Sequence, residues 1–342
     1  MRGDFSRTSF DRTKHYSGVR MQQGRVQLDA DWNEQVDILQ YQNTTQLSDL
    51  LGTVGTPAAA PGFAIELPNS STANDGNGDD KGNGKGNGKG NGKGNDKGND
   101  KGNDNSGLPP NVRIAFGHRY VDGILCTNDA AAGTATHNTF LTQPDFPGAA
   151  AHRAAVAGHD RYLVYLDVWQ QHITALEDDA LLEVALDGLD TTTRTKTIAQ
   201  VKFWPVPAIV TPTITSADNG EAPTETPDED ELVTVWTAFQ QKMQPIPITL
   251  DVRKTLRGII NQNQLYRVEI QSVDDNLITY KWSRENGAVA YAVAEIEESP
   301  PGKFIIHLAE IAAEKILLRQ GAIVELVDLH DQLNSQAGKL AI

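Results

Sequence analysis

From Lys81 to Asp104 the chain repeats one tetrapeptide six times, three times as KGNG and then three times as KGND. The repeat has no apolar side chain to bury, and glycine loses more conformational freedom on ordering than any other residue. The spacing therefore predicts a mobile, solvated insertion over 71–108 rather than part of a core. Any fold has to be built from the chain on either side, continuing across it. The Gly-Lys content invites a phosphate-loop reading, but every glycine from Gly76 to Gly102 has an even number. GxxxxGK and GxGxxG each need two glycines an odd distance apart, and a calcium-binding nonapeptide repeat needs adjacent glycines. Weak ion binding by Asp96, Asp100, Asp104 or the lysines is the lesser alternative.

The flanking chain reads as strands. GFAIEL precedes the insertion, and VRIAFGHRYVDGILCTND follows it as two short strands hinged at Gly117 and Gly123. In RYLVYLDVWQQHITAL, Tyr162, Val164, Leu166 and Val168 alternate with Leu163, Tyr165, Asp167 and Trp169, apolar on nearly both faces, which predicts a central strand. An acidic corner at Glu177 to Asp179 and a strand from Thr197 to Val206 come next. Residues 211–231, rich in Pro, Thr and acid, read as a solvated connector. YRVEI, LITYKWSRENGAVAYAVAEI, FIIHLAEI and AIVELVDL give further strands, and Asn286-Gly287 is the dipeptide a type I′ hairpin prefers. A last β-layer is missing from this pattern, or a neighbouring subunit supplies it.

Near the N-terminus, 28–51 reads as one helix. Asp31 caps it, Glu34 completes an Asp-x-x-Glu capping box, and Gly52 ends it. Trp32, Val36, Leu39, Leu47 and Leu50 fall on one stripe that Asn43 interrupts. Two readings stay open: the helix packs on its own domain with Asn43 at the edge, or Asn43 sits in a seam between chains and fixes its register.

The pattern predicts an α+β chain that is mainly β with an N-terminal helix, its β part built as sandwich or barrel-like modules. The expected division is a segment 1–52, a β-rich domain 53–210 carrying the insertion, the connector 211–231, and a second β-rich domain 232–342. A net charge of −15 disfavours a nucleic-acid grip, which needs a basic face. The N-terminus lacks the ~7–15 apolar residues of a secretory signal, and no run reaches the ~18 of a membrane span. Synthesis in the cytoplasm without membrane insertion is expected, with any later exposure coming from assembly into a released or membrane-docked particle.

No arrangement of residue types marks a catalyst. Cys126 is the only cysteine, which excludes a disulfide framework and suits a buried structural thiol. None of the eight histidines sits in HExxH. Asp328, His330 and Asp331 make a cluster that a metal would suit, although a polar turn accounts for it better. No GxSxG elbow occurs. Glu177, Asp178 and Asp179 are adjacent, which suits a solvated corner better than a glycosidase pair facing across a cleft. Arg2 to Asp4 spell a short adhesion tripeptide that recurs by chance. Trp169, Trp204, Trp236 and Trp282 would make a sugar-stacking platform only if exposed, and core packing is expected of them. No cofactor and no metal are expected.

FDRTKHYSGVRMQQGRVQLDADWNEQ, GHRYVDGILC, YLVYLDVWQQHITALEDDALLEVALDGLDTTTRTKTIAQVKF and LYRVEI with YKWSRENGAV, in this order, resemble an uncharacterised family of phage-tail-like proteins encoded with contractile injection systems. The first block is also similar to the attachment end of phage tail-fibre proteins, in which an aromatic-x-Pro-x-Lys-x-Tyr, a Gly-Arg, a Gln and an acidic-Asn-Glu helix start follow one another. Phe10, Lys14, Tyr16, Gly24, Arg25, Gln27, Asn33 and Glu34 occupy those places, with Arg12 where the pattern has proline. The resemblance implies a structural subunit (baseplate, tail tip, fibre attachment or cap adaptor) that works by assembly with other subunits and as a homo-oligomer. Residues 1–52 would dock, with Leu28 in the extended step before the helix, Trp32 as anchor and the Arg25 fork holding the turn. The alternative is a glycan-binding or glycan-cleaving tail appendage.

Overall fold

The computed structural model describes residues 3–59, 61–67, 112–129, 137–159, 161–206, 229–244, 267–274, 277–283, 286–287, 289–309, 318–334 and 336–342. The insertion read at 71–108, the connector read at 211–231 up to its last three residues, and Arg2 of the adhesion tripeptide lie outside them. The described chain is mainly β with an N-terminal helix, an α+β protein as the patterning predicts.

The helix α1 (Asp29–Leu51) leads into β1 (Val54–Gly55) and β2 (Ile65–Glu66). After the insertion come β3 (Arg113–Ala115), β4 (Gly117–Val121), β5 (Ile124–Asn128) and β6 (His137–Thr139). Two three-stranded antiparallel sheets result, in the orders β1-β4-β5 and β2-β3-β6. The strands that flank the insertion pair with each other, Ile65 opposite Ile114 and Glu66 opposite Arg113. Asp122 and Gly123 at the β4–β5 turn take φ of 47° and 74°, the left-handed pair that a tight hairpin requires. Phe116 separates β3 from β4, which opens at Gly117 with φ 132°, so three strands stand where the sequence suggested two.

Next come α2 (Ala149–Ala155), β7 (Tyr162–Ile173), the short hairpin β8 (Leu182–Glu183) and β9 (Leu189–Asp190), and β10 (Arg194–Pro205). The strands β7 and β10 pair over twelve residues each, from Tyr162 opposite Pro205 to Ile173 opposite Arg194. Among the described residues β7 has no second strand partner, so it is one half of a ribbon and not the central strand its two apolar faces suggested. Those faces have different covers. Leu166 and Val168 pack on the core, while Tyr165 meets Phe239 of α3 (Glu229–Met243) at 4.9 Å between ring centroids. A helix therefore does for the second face what a neighbouring strand was expected to do, and it begins inside the stretch read as connector.

The outer edge of β10 is closed by side chains. Gln143 accepts from the Val201 amide at 2.7 Å and donates to the Val201 carbonyl at 3.1 Å. Two residues on, His152 Nε2 accepts from the Phe203 amide at 3.2 Å and lies 3.1 Å from its carbonyl oxygen. The ladder thus ends without an open edge at these positions, where unpaired backbone would otherwise invite another strand.

Two apolar clusters lie beneath. Val112, Phe140, Phe146, Ala149, Val156 and Phe203 form one, with the rings of Phe140 and Phe203 4.6 Å apart. Phe63, Ile114, Cys126 and Val201 form the other. Each fully buried aliphatic or Phe side chain here is worth about 1.5–3 kcal/mol relative to exposure.

Among its described residues the C-terminal part has three hairpins and a short helix. β11 (Arg267–Asp274) pairs with β12 (Leu277–Ser283), β13 (Val293–Glu298) with β14 (Phe304–Leu308), and β15 (Val324–Leu326) with β16 (Lys339–Ala341) around α4 (Leu329–Leu333). Asn286 and Gly287 do have positive φ, 52° and 68°, but the strands on either side of them pair elsewhere, so they do not join a hairpin. The helix α4 docks on the ribbon: Gln200, fully buried, donates to the carbonyls of Asp145 and Leu333, and Gln171 donates to Gln332 at 3.0 Å.

Candidate functional site

The helix α1 begins earlier than its expected cap. Leu28 stands at the N-cap with extended backbone and no side-chain acceptor, so Asp31 lies inside the helix, and the Asp31–Glu34 capping box is not formed. Asp29 and Asp31 still suit the positive end of the helix dipole. Asp31 loses the capping role because the helix starts two residues before it, and Glu34 is engaged instead by a strap made of the first residues, which also holds Asp29. Ser6 donates from its amide (2.8 Å) and hydroxyl (2.6 Å) to the Asp29 carboxylate, and Ser9 donates its hydroxyl to Glu34 at 2.6 Å. Further along, the Val19 amide donates to Gln35 at 2.7 Å. The Ser6 hydroxyl and then its amide hold the Asp29 carboxyl below its ordinary range. Burial, followed by the neighbouring Glu34 charge, raises that of Asp37. At the other end Gly52, with φ 76°, closes the helix by donating to the Ser48 carbonyl at 2.8 Å, as expected.

The docking residues fall into three places. Phe10 is half-buried, with its ring 5.7 Å from that of Tyr41, and Asn33 and Glu34 are half-buried on the helix. Lys14 lies over the exposed Tyr16 ring at 6.0 Å. Gly24 and Arg25 make the expected turn, with Gly24 at φ 71° and the Arg25 amide donating to the Gln22 carbonyl at 3.3 Å. The Arg25 side chain is exposed, as are Gln27 and Leu28. Trp32, read from the sequence as the docking anchor, keeps 68 % of its surface exposed.

Seen along its axis, α1 has two faces. Ala30 and Ile38 are buried, Tyr41 meets Phe10, and the β4–β5 turn comes up against the backbone of Thr44. Trp32, Val36, Leu39, Asn43 and Leu50 lie on the opposite side and are exposed, whereas Leu47 of the expected stripe is half-buried. Sequence reasoning did not single out Ser6, Ser9 or Gln35. The Ser-rich segment before a helix was the available signal for the strap.

A second exposed apolar face lies on the β11–β12 hairpin. Val268, Ile270, Tyr280 and Trp282 point outward, while Lys281 on the other face pairs with Glu269 (3.4 Å) and with Glu325 of β15. Trp236 is also exposed, so the expected core packing of the tryptophans does not hold for Trp236 and Trp282. Trp169 and Trp204 are half-buried.

The residues weighed for chemistry hold turns and caps. Glu177 accepts from the amide (2.8 Å) and hydroxyl (2.5 Å) of Thr174, and Asp178 accepts from the Ala180 amide at 3.1 Å. Asp328, His330 and Asp331 bring their ligand-type atoms within 4.8 Å of one another, but Asp328 is the N-cap of α4, accepting from the Asp331 amide at 2.6 Å, and His330 lies against Asn334. Cys126 is fully buried, which pushes its thiol up to about 11. Among the described residues no helix is long and apolar enough to cross a membrane.

No curated protein and no solved structure matches the chain. A family of unknown function, DUF6519, matches residues 1–84 and 82–208, across the strap, α1, the two three-stranded sheets and the β7–β10 ribbon. The match takes in well over half of the 342 residues, and the chain belongs to that family.

Proposed function

We propose that this chain is a structural subunit of a phage-tail-like contractile injection particle, in a baseplate, tail-tip, fibre-attachment or cap-adaptor position, acting through contacts with other subunits and with copies of itself. The observation that carries the assembly role is the two-sided helix α1. Its inner face is already occupied by its own chain, and its outer face leaves Trp32, Val36, Leu39 and Leu50 in water. Apolar surface held outward by a folded body marks an interaction site. The particle itself is supported by the resemblance of the N-terminal block and of the strand blocks that follow it. In this role the chain supplies binding and position, not bond chemistry.

The test is co-purification. The full chain is expected in sheath-and-tube particles isolated from its host, and particles from a strain lacking it should be incomplete. Its absence from such particles sinks the proposal.

A second reading, a glycan-binding or glycan-cleaving appendage, is favoured by one feature: Tyr280 and Trp282 stand side by side and exposed on β12, as a sugar-stacking pair would. A glycan array and a polysaccharide depolymerisation assay that both stay blank remove it.

A further inference from the structure

We propose that the outer face of α1 is a parallel, in-register seam for a second copy of this chain. The inference deepens the homo-oligomer in the function proposed above and does not depend on the particle. Trp32, Val36, Leu39, Asn43, Gln46 and Leu50 follow one another at steps of four, three, four, three and four, and all six are exposed. That 3.5-residue period is the period of a coiled-coil seam, with Val36, Asn43 and Leu50 at one core position and Trp32, Leu39 and Gln46 at the other. A helix that served only its own domain would need a single apolar face, and α1 already has one in Ala30 and Ile38.

The partner is identified by the two amides in the seam. In a parallel pair Asn43 meets Asn43 and Gln46 meets Gln46, so each amide finds a donor and an acceptor in its own copy. Antiparallel packing about the seam's midpoint sets Val36 against Gln46 and Leu39 against Asn43, which strips water from each amide and offers only methyl groups in return. A foreign helix would need matching polar residues at the same two heights; a second copy has them by construction.

Charge allows the pairing. The chain carries −15 overall, yet the positions flanking the seam are Asn33, Gln35, Gln40, Gln42, Leu47 and Asp49, with one acid among six. Like-charge repulsion at these flanking positions is therefore limited to Asp49, and Asp29, one heptad before Val36, lies at the N-terminal edge of the seam, where Ser6 holds its carboxylate. Trp32, Val36, Leu39 and Leu50 keep 68, 47, 55 and 81 % of their surface exposed. This comes to on the order of 500 Å² of mostly apolar area per chain, and the flanking amides bring the patch toward the ~800 Å² per partner of a stable interface.

The experiment uses the full chain in light scattering or sedimentation equilibrium. The native chain is expected at twice its 37.2 kDa. Leu39→Glu is expected to weaken the pairing by at least about 100-fold, giving the single-chain mass. Because Leu39 is exposed within its own chain, the circular dichroism of that variant should match the native one. Asn43→Cys is expected to form a disulfide between two chains on oxidation, with the native chain and its buried Cys126 as control. A native mass of one chain at about 100 μM, a double mass that Leu39→Glu leaves unchanged, or an Asn43→Cys dimer that does not cross-link each overturns the proposal. A chain that pairs and cross-links as stated but is missing from particles leaves the seam standing and removes only the particle role.

Discussion

The backbone of Gly123 lies so close to Thr44 that a methyl group at Gly123 would stand 2.0 Å from the Thr44 carbonyl oxygen. The turn between β4 and β5 is thereby wedged against the inner face of α1. Both the left-handed φ of 74° and the contact require glycine. Gly123→Ala is expected to cost about 3 kcal/mol or more, since neither backbone can yield easily. Gly24→Ala, at a similar φ of 71° but with nothing within 4 Å, should lose only about 1 kcal/mol. Urea unfolding of the two variants checks the difference, and equal losses would mean that the wedge carries no weight.

Gln200 joins the ends of a long piece of chain by donating to the carbonyls of Asp145 and Leu333 from a fully buried site. Gln200→Leu leaves both carbonyls without that donor, at an expected cost of about 2–4 kcal/mol. Loss of the contact should appear first at α4, as faster proteolytic cleavage between residues 318 and 338. Unchanged cleavage would argue against the docking role.

His152 gives the fold a pH dependence of definite sign. Burial lowers its pKa beneath the ordinary 6.5, because a charged ring is poorly solvated beside Phe140 and Phe146, and nearby Lys202 adds to the effect against the opposing bond to Phe203. The unfolded chain therefore takes up a proton more readily than the folded one. The stability this provides is complete above 6.5 and is lost as pH falls toward and through the depressed folded value. Melting temperature should drop between about pH 7 and pH 5 in the native chain and much less in His152→Gln. A parallel drop in both would exclude His152 as the source.

The strap titrates at lower pH. Asp29 has its carboxyl held below the ordinary 3.8 by Ser6, so the tether persists above that value and is released as pH falls through the lower folded one. Because Asp29 is largely solvated, Asp29→Asn should cost less than about 1 kcal/mol. Hydrogen exchange at the Ser6 amide is expected to rise roughly threefold in that variant, with exchange in the β7–β10 ribbon unchanged.

Cys126 should be silent in the native protein. A thiol pushed up to about 11 and fully buried offers almost no thiolate at neutral pH. Maleimide labelling is expected to run no faster than global unfolding. Rapid labelling would place the second apolar cluster in a part of the molecule that opens on its own.

The mainly β body, the helix over 28–51 and its glycine stop were legible because period and glycine act locally. The cap was not: the helix starts at Asp29, two residues before Asp31, and Glu34 is taken by Ser9 of a strap more than twenty residues away. The segment LITYKWS was legible as a strand, but not that its Ile278, Tyr280 and Trp282 face points outward. That depends on Lys281 finding Glu325 across 44 residues of chain. The two apolar faces of β7 were equally plain, yet period cannot tell a covering strand from a covering helix. The seam was read with Leu47 in it, and only the packing of α1 shows that Gln46 takes that place on the exposed side.

The contacts that α4 makes with the ribbon also set an order in time. Among the described residues the two apolar clusters draw on none beyond Phe203, so they can close while the ribosome is still adding chain. Gln171 and Gln200, however, find partners at Gln332 and Leu333, 161 and 133 residues further on. At ordinary rates of translation that interval is on the order of ten seconds, during which two buried amides face an unfilled site. A nascent chain in this state is the form most open to a chaperone or to a premature neighbour, and the last helix is what ends its exposure.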